Sequence, residues 1–79
     1  MVIKLVIPAG VNALGIDMRV LRATSEFKER EVPPGPYTAD VEKRNGVDLI
    51  VVGTKGVEVG CSQRGWTNQG ATVTMEGGD

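Results

Sequence analysis

The sequence predicts an all-β fold, a small antiparallel barrel or sandwich of about five to seven short strands. Apolar and polar residues alternate with a period of two along much of the chain, as in strands that bury one face. Eleven glycines and four prolines separate the alternating segments, and such residues mark turns between strands. The β-branched residues that favour strands are frequent between these turn signals.

Residues 37–61 form the centre of the predicted sheet. Residues 37–44 alternate, the dipeptide Asn45-Gly46 follows, and residues 47–52 are a β-branched run. Asn-Gly is the dipeptide that best accommodates the two positive φ angles of a type I′ hairpin turn. A two-residue loop fixes the register of the hairpin, and the predicted pairs are Arg44 with Val47, Lys43 with Asp48, Val41 with Ile50, and Ala39 with Val52.

A third strand completes a predicted meander with strands at 37–44, 47–53 and 56–61. A symmetric turn at 53–56 would pair Val52 with Val57 and Ile50 with Val59. One face of the meander is then apolar and consists of Tyr37, Ala39, Val41, Ile50, Val52, Val57, Val59 and Cys61. The opposite face carries Leu49 and Val51 among polar residues, which predicts that another segment of the chain covers part of it.

The N-terminal quarter of the chain contains one clear strand and one ambiguous segment. Residues 2–7 alternate and predict a strand. Residues 11–22 fit a helical stripe and a strand alternation equally well. A strand is favoured there because Gly15 would weaken a helix by roughly 0.5–1 kcal/mol relative to alanine, and because no capping box precedes the segment.

The remaining segments are short and separated by residues that interrupt regular secondary structure. Residues 27–32 are rich in charge and predict a solvated edge strand or, alternatively, one helical turn capped by Ser25. Three of the residues in 32–36 are prolines, which predicts an extended connection outside regular secondary structure. Residues 71–75 alternate as a last strand, and residues 76–79 are expected to be a flexible tail.

Composition bounds the class of protein. A chain of 79 residues is expected to form one domain, residues 1–79, near the lower size limit for a self-sufficient core. Its single cysteine excludes an internal disulfide and favours a reducing, cytoplasmic setting. No stretch approaches the ~20 apolar residues of a membrane span, so no membrane association is expected.

Composition also excludes several chemistries. The chain has no histidine, so histidine-based triads, acid–base pairs and zinc sites are ruled out. We therefore expect neither an enzyme nor a bound metal or organic cofactor. Nine basic and ten acidic residues are interspersed, which argues against a dedicated polyanion-binding protein.

The segment 62–70 is the candidate binding site. It breaks the alternation of the preceding strand, and it combines tryptophan and arginine, the residue types most enriched at binding hot spots, with flanking glycines. The predicted anchor is Trp66, with Arg64 as the directional contact. The alternative is that Trp66 folds back as a lid over one end of the sheet. The full predicted partner-binding set is Gln63, Arg64, Trp66, Asn68, Gln69 and Lys55.

These observations favour a non-enzymatic protein-binding module that acts by steric occlusion, as an accessory or inhibitor protein such as a viral or phage inhibitor of host machinery. One alternative is a nucleic-acid-binding barrel of SH3-like or OB-like type, with Trp66 and Tyr37 stacking on bases and Arg64, Lys55 and Lys43 on phosphates. Another alternative is a structural or assembly subunit. Self-association through an edge strand is also expected, because three aromatic residues make a thin core.

Overall fold

The computed structural model describes residues 2–76, which form one antiparallel sheet of seven strands and two short helices. The sheet order is β3-β2-β6-β5-β4-β1-β7. The elements are β1 (Val2–Ile7), β2 (Ala13–Asp17), α1 (Met18–Thr24), β3 (Glu29–Val32), β4 (Gly35–Arg44), β5 (Val47–Thr54), β6 (Val57–Cys61), α2 (Gln63–Asn68) and β7 (Thr72–Glu76). The all-β antiparallel prediction is confirmed, and the sheet does not close into a barrel.

The central hairpin has the predicted register. Strands β4 and β5 pair Ala39 with Val52 and Val41 with Ile50, and the pairing continues through Lys43–Asp48 to the turn. Asn45 and Gly46 both have positive φ, 50° and 81°, as a type I′ turn requires. The Lys43 Nζ lies 3.4 Å from the Asp48 carboxylate.

The second hairpin differs from the prediction by two residues. Val52 pairs with Val59 and Ile50 with Cys61, whereas a four-residue turn at 53–56 would have paired them with Val57 and Val59. The turn has only two residues, because Lys55 adopts a φ of 54° before Gly56. A shift of two residues keeps every side chain on its predicted face, so the apolar face survives the error.

The sheet is strongly curved, as chain connectivity requires. Strands β3 and β4 lie four positions apart in the sheet order, or about 19 Å at ~4.8 Å per strand in a flat sheet. Val32 and Gly35 are separated by three Cα steps, which span at most about 11 Å. The sheet must therefore curl so that β3 approaches the start of β4, with the apolar face inside.

The main core lies on the inner face of the curl. Its buried members are Ile3, Leu5, Ile7, Ala13, Val32, Ala39, Ile50, Val52, Val59, Trp66 and Ala71. Val41 shares this face by register but is 50% exposed, which corrects its assignment to the buried set. The described ladder between β1 and β4 ends at the pair Ile3–Ala39, and the β4–β5 hairpin extends beyond it.

A second, smaller core lies on the outer face, where Leu49 and Val51 are packed under Met18 and Leu21 of α1. This confirms that another segment covers the second face. It also corrects the favoured strand at 11–22, which holds only for β2, since α1 begins directly after it. The helix forms there because the Asp17 carboxylate accepts hydrogen bonds from two backbone N–H groups of its first turn.

Two smaller predictions are also corrected or limited. Gly35 and Pro36 are the first residues of β4 and pair with β1, although the proline-rich segment 32–36 predicted no regular structure. Proline is tolerated there because β5 begins to pair with β4 only at Ala39, so this stretch has one neighbouring strand. Of the predicted tail, Glu76 ends β7, and residues 77–79 lie outside the described part of the chain.

Candidate functional site

The segment 62–70, which the sequence singled out as an irregular loop, contains the short helix α2. Ser62 caps this helix by accepting a hydrogen bond from the backbone N–H of Gly65 at 3.1 Å. A side chain at position 65 would collide with the Cys61 Sγ, so glycine allows the helix to pack close to β6. Gly65 therefore serves the close packing of α2 against β6.

Trp66 lies in the centre of the main core and is 0% exposed. Its indole N–H donates a hydrogen bond to the backbone carbonyl of Ile50 at 3.0 Å. The prediction that Trp66 is an exposed anchor for a partner is therefore wrong, and the lid interpretation is correct. A short helix places this one ring over the core face of the curled sheet.

Gln69 also has a structural role. Its side-chain amide donates to the Leu14 carbonyl at 2.8 Å and its Oε1 accepts from the Leu14 N–H at 2.6 Å. The described ladder between β2 and β6 pairs only residues 16 and 17 of β2. The amide of Gln69 thus completes the backbone hydrogen bonding of β2 where β6 has ended.

The other residues of the predicted set are exposed but do not converge. Gln63 and Arg64 line an open depression on the outer side of α2 together with Thr67, and Asn68 is exposed on the same helix. Lys55 lines a different cavity, beside Arg30 and Glu31 of β3. The predicted set therefore does not form one site around an apolar anchor, and its role in partner binding stays a prediction.

A different surface brings apolar groups together. Phe27, in the connection between α1 and β3, is 75% exposed, and Val47 is 50% exposed. Both line a groove of about 220 Å³ at the margin of the second core. We call it the Phe27 groove, and its lining residues are Ile16, Leu21, Phe27, Arg44, Asn45, Val47 and Leu49.

Arg44 is the charged residue at this groove, and its guanidinium is held in place. One Nη2 N–H donates to the Leu21 carbonyl near the end of α1 at 3.3 Å, and the Nη1 lies 3.8 Å from the Glu42 carboxylate. Together, these two contacts use fewer than the five N–H donors of a guanidinium group. An apolar groove with an ordered arginine at its rim can accept an apolar side chain and an acceptor group together.

Sequence reasoning missed the Phe27 groove because it assembles from two separate stretches of the chain, 16–27 and 44–49. One signal was available, since Phe27 is an isolated aromatic residue within the polar run 24–31. The charge of residues 27–32 predicts a solvated edge strand or one helical turn, and β3 begins only at Glu29. Phe27 precedes the strand and is not committed to a face of the sheet.

Two ionic clusters hold α1 to the sheet. Asp17 is fully buried and accepts a hydrogen bond from the Arg30 Nε at 2.9 Å. This bond, helped by the N–H groups of α1 and opposed by burial, lowers the pKa of the Asp17 carboxyl. On the outer face, Arg22 bonds to the carboxylates of Glu42 and Glu58, and the Arg22 guanidinium lowers the pKa of Glu42.

Cys61 carries the one thiol of the chain. Cys61 is half-buried and its pKa is raised by burial, which disfavours the reactive thiolate form. Residues 2–76 contain no group of three or more side chains suited to hold a metal ion. The same part of the chain contains no helix long and apolar enough to cross a membrane.

No protein-family model, curated protein or solved structure matches the chain. The geometry of the described residues therefore has to carry any inference about function.

Proposed function

We propose that the protein is a non-enzymatic protein-binding module whose Phe27 groove receives a bulky apolar side chain and a nearby carboxylate of a partner. The observation that carries the proposal is the 75% exposure of Phe27 beside an apolar groove. One of only three aromatic residues in the chain lies outside both cores, where it does not contribute to packing.

The apolar surface is contiguous, which distinguishes it from ordinary exposed residues. Single exposed apolar side chains are normal on soluble proteins. Here Phe27 and Val47 line one groove, and its floor is formed by Leu21 and Leu49, which belong to the second core. Insertion of an apolar side chain would extend that core into the partner.

The size of the groove favours a protein partner over a small molecule. Its volume of about 220 Å³ lies below the ~300–1,000 Å³ of sites that enclose a drug-sized ligand. A groove of this size suits one or two side chains presented by another chain. Phenylalanine and arginine are both enriched at the centres of such interfaces.

Arg44 adds direction to the contact. The planar guanidinium suits a carboxylate better than a carbonyl group because two parallel charge-assisted hydrogen bonds can form. The preferred partner segment therefore combines an apolar residue with Asp or Glu a few positions away. By covering such a segment, the protein would act by occlusion, as expected of an accessory or inhibitor protein.

Nucleic acid is not favoured as the partner. The alternative relied on Trp66 and Tyr37 as stacking platforms. Trp66 is buried, and Tyr37 is half-buried with its hydroxyl bonded to the Pro33 carbonyl at 2.6 Å. Trp66 therefore presents no ring face for base stacking, and the Tyr37 ring is only partly accessible.

The experiment is a selection from a random displayed-peptide library with the immobilised protein, followed by calorimetry with one enriched synthetic peptide. We expect enriched sequences to combine a bulky apolar residue with an acidic one. Phe27→Ala should weaken the peptide by at least ~2 kcal/mol, about thirtyfold. Because Phe27 is exposed, the same change should alter the stability of the protein by no more than about 0.5 kcal/mol.

The matched controls separate the groove from general stickiness. Val41→Ala removes an exposed apolar side chain that does not line the groove and should leave affinity unchanged. Replacing the acidic residue of the peptide with glutamine should weaken its binding to the native protein. The same replacement should have little effect on binding to Arg44→Met, which lacks the guanidinium that the acid contacts. The proposal fails if no sequence class is enriched, or if Phe27→Ala and Val41→Ala reduce binding equally.

A further inference from the structure

The two edges of the sheet are protected to different degrees. The edge strand β3 carries three consecutive charged residues, Glu29 to Glu31, the usual defence of an edge against pairing with another chain. At the other edge, β7 reads Thr-Val-Thr-Met-Glu. It contains no proline and no lysine, and its first four residues are uncharged. The edge at β7 therefore lacks the protection found at β3.

The outer side of β7 is available for pairing. Within residues 2–76, Thr72–Glu76 form a ladder with β1 alone, and no backbone hydrogen bond outside the sheet reaches this strand. An edge strand presents a row of N–H and C=O groups to its free side. Val73 packs against the main core from this edge and is only half-buried.

We propose that β7 pairs antiparallel with β7 of a second copy of this chain, about a two-fold axis at Thr74. This register places Thr74 opposite Thr74, Val73 opposite Met75, and Thr72 opposite Glu76. A two-fold axis perpendicular to the sheet keeps the core-facing sides of both copies on one side. Two residues that pair must then both have even numbers or both have odd numbers, because side chains alternate between the two faces of a strand. The register centred on Thr74 meets this condition for all five residues.

The occupant is a second copy because the strand is complementary to itself in this register. An isologous interface requires that a surface match its own image. Threonine pairs across strands are favourable and like charges directly opposite are not. The single charged position, Glu76, lies opposite a threonine, so no like charges meet. The same operation on β3 would place charged residues opposite charged residues.

This interface is independent of the Phe27 groove. The groove is lined by residues of β2, α1, the α1–β3 connection, β4, the β4–β5 turn and β5, and none belongs to β7 or β1. Loss of peptide binding in Phe27→Ala and loss of self-association in a β7 variant are therefore separate results.

The first test is sedimentation over micromolar to millimolar concentrations, with Thr74→Glu and Thr74→Val beside the native chain. Thr74 is exposed and lies opposite Lys4 of β1, so glutamate there adds an opposite charge within one copy and preserves folding. Across the two-fold axis it places two carboxylates face to face. We expect the native chain to dimerise, Thr74→Val to dimerise equally, and Thr74→Glu to dimerise about tenfold more weakly or worse.

The second test is position-specific cross-linking under mild oxidation. Thr74→Cys should give a disulfide-linked dimer, because residues directly opposite in an antiparallel pair have Cα atoms about 4.5–5.5 Å apart. Asp40→Cys is the control, since Asp40 is exposed on the interior strand β4 and is paired there with Val51 of β5. A monomer at every concentration, an unaffected Thr74→Glu dimer, or equal cross-linking of the two cysteine variants would overturn the proposal.

Discussion

Trp66→Ala separates the two roles that the sequence allowed for this residue. The side chain is 0% exposed at the centre of the main core, and truncation of a buried tryptophan costs about 3–5 kcal/mol. A domain of 79 residues has a total stability of about 4–12 kcal/mol at ~0.05–0.15 kcal/mol per residue. Loss of this one ring should therefore remove a quarter or more of the folding free energy.

Trp66→Phe tests the hydrogen bond separately from the ring. The change removes the indole N–H that donates a hydrogen bond to the Ile50 carbonyl at 3.0 Å. Ile50 itself is buried. Ile50 also pairs with Cys61 in the ladder with β6, so the change should cost about 0.5–1.5 kcal/mol, the net value of one hydrogen bond. We expect a loss smaller than that of the alanine variant but clearly measurable.

Urea unfolding followed by far-ultraviolet circular dichroism measures these changes without relying on the fluorophore that is removed. Arg64→Ala is the matched control, because it lies exposed on the same helix and should change stability by no more than about 0.5 kcal/mol. In the native protein, the single tryptophan should emit at short wavelength and resist quenching by iodide. A Trp66→Ala variant that loses less than about 1 kcal/mol would refute the lid interpretation.

Three further predictions concern folding. Gly15→Ala should destabilise by about 1–3 kcal/mol, because its Cβ would lie 2.5 Å from a valine methyl of β6 and 2.9 Å from a backbone oxygen. A Cβ added at position 53 would meet nothing within 4 Å, so Gly53→Ala is the control in the same urea assay. Equal losses of stability in the two variants would contradict the packing argument. Asp17 has a lowered pKa through Arg30, so its contribution to stability is present above its unfolded pKa of about 3.9 and is lost as the pH falls through the lower folded pKa. Asp17→Asn should flatten that acid dependence of the melting temperature, and an unchanged pH profile would contradict it. Lys55 has a φ of 54°, so Lys55→Asn should raise stability by up to about 1 kcal/mol, and a lower urea midpoint would count against the type I′ turn.

The register of the β4–β5 hairpin was predictable because all its determinants are local. Asn45-Gly46 specifies a two-residue turn, and alternation on either side admits only one register that buries the apolar face. The next turn was mispredicted by two residues because lysine rarely adopts positive φ. The free energy that this conformation of Lys55 costs is offset by the hydrogen bonds of the surrounding ladder.

The sequence by itself determined most of the strands, the faces of the central meander, and the exclusion of histidine chemistry, since these depend on alternation and composition. The tertiary structure decided where Trp66 and Phe27 lie. Trp66 is buried because the sheet curls and α2 places the ring over its inner face, while Phe27 lies in the α1–β3 connection, outside both cores. Such outcomes depend on contacts between residues distant in sequence, which no local pattern records.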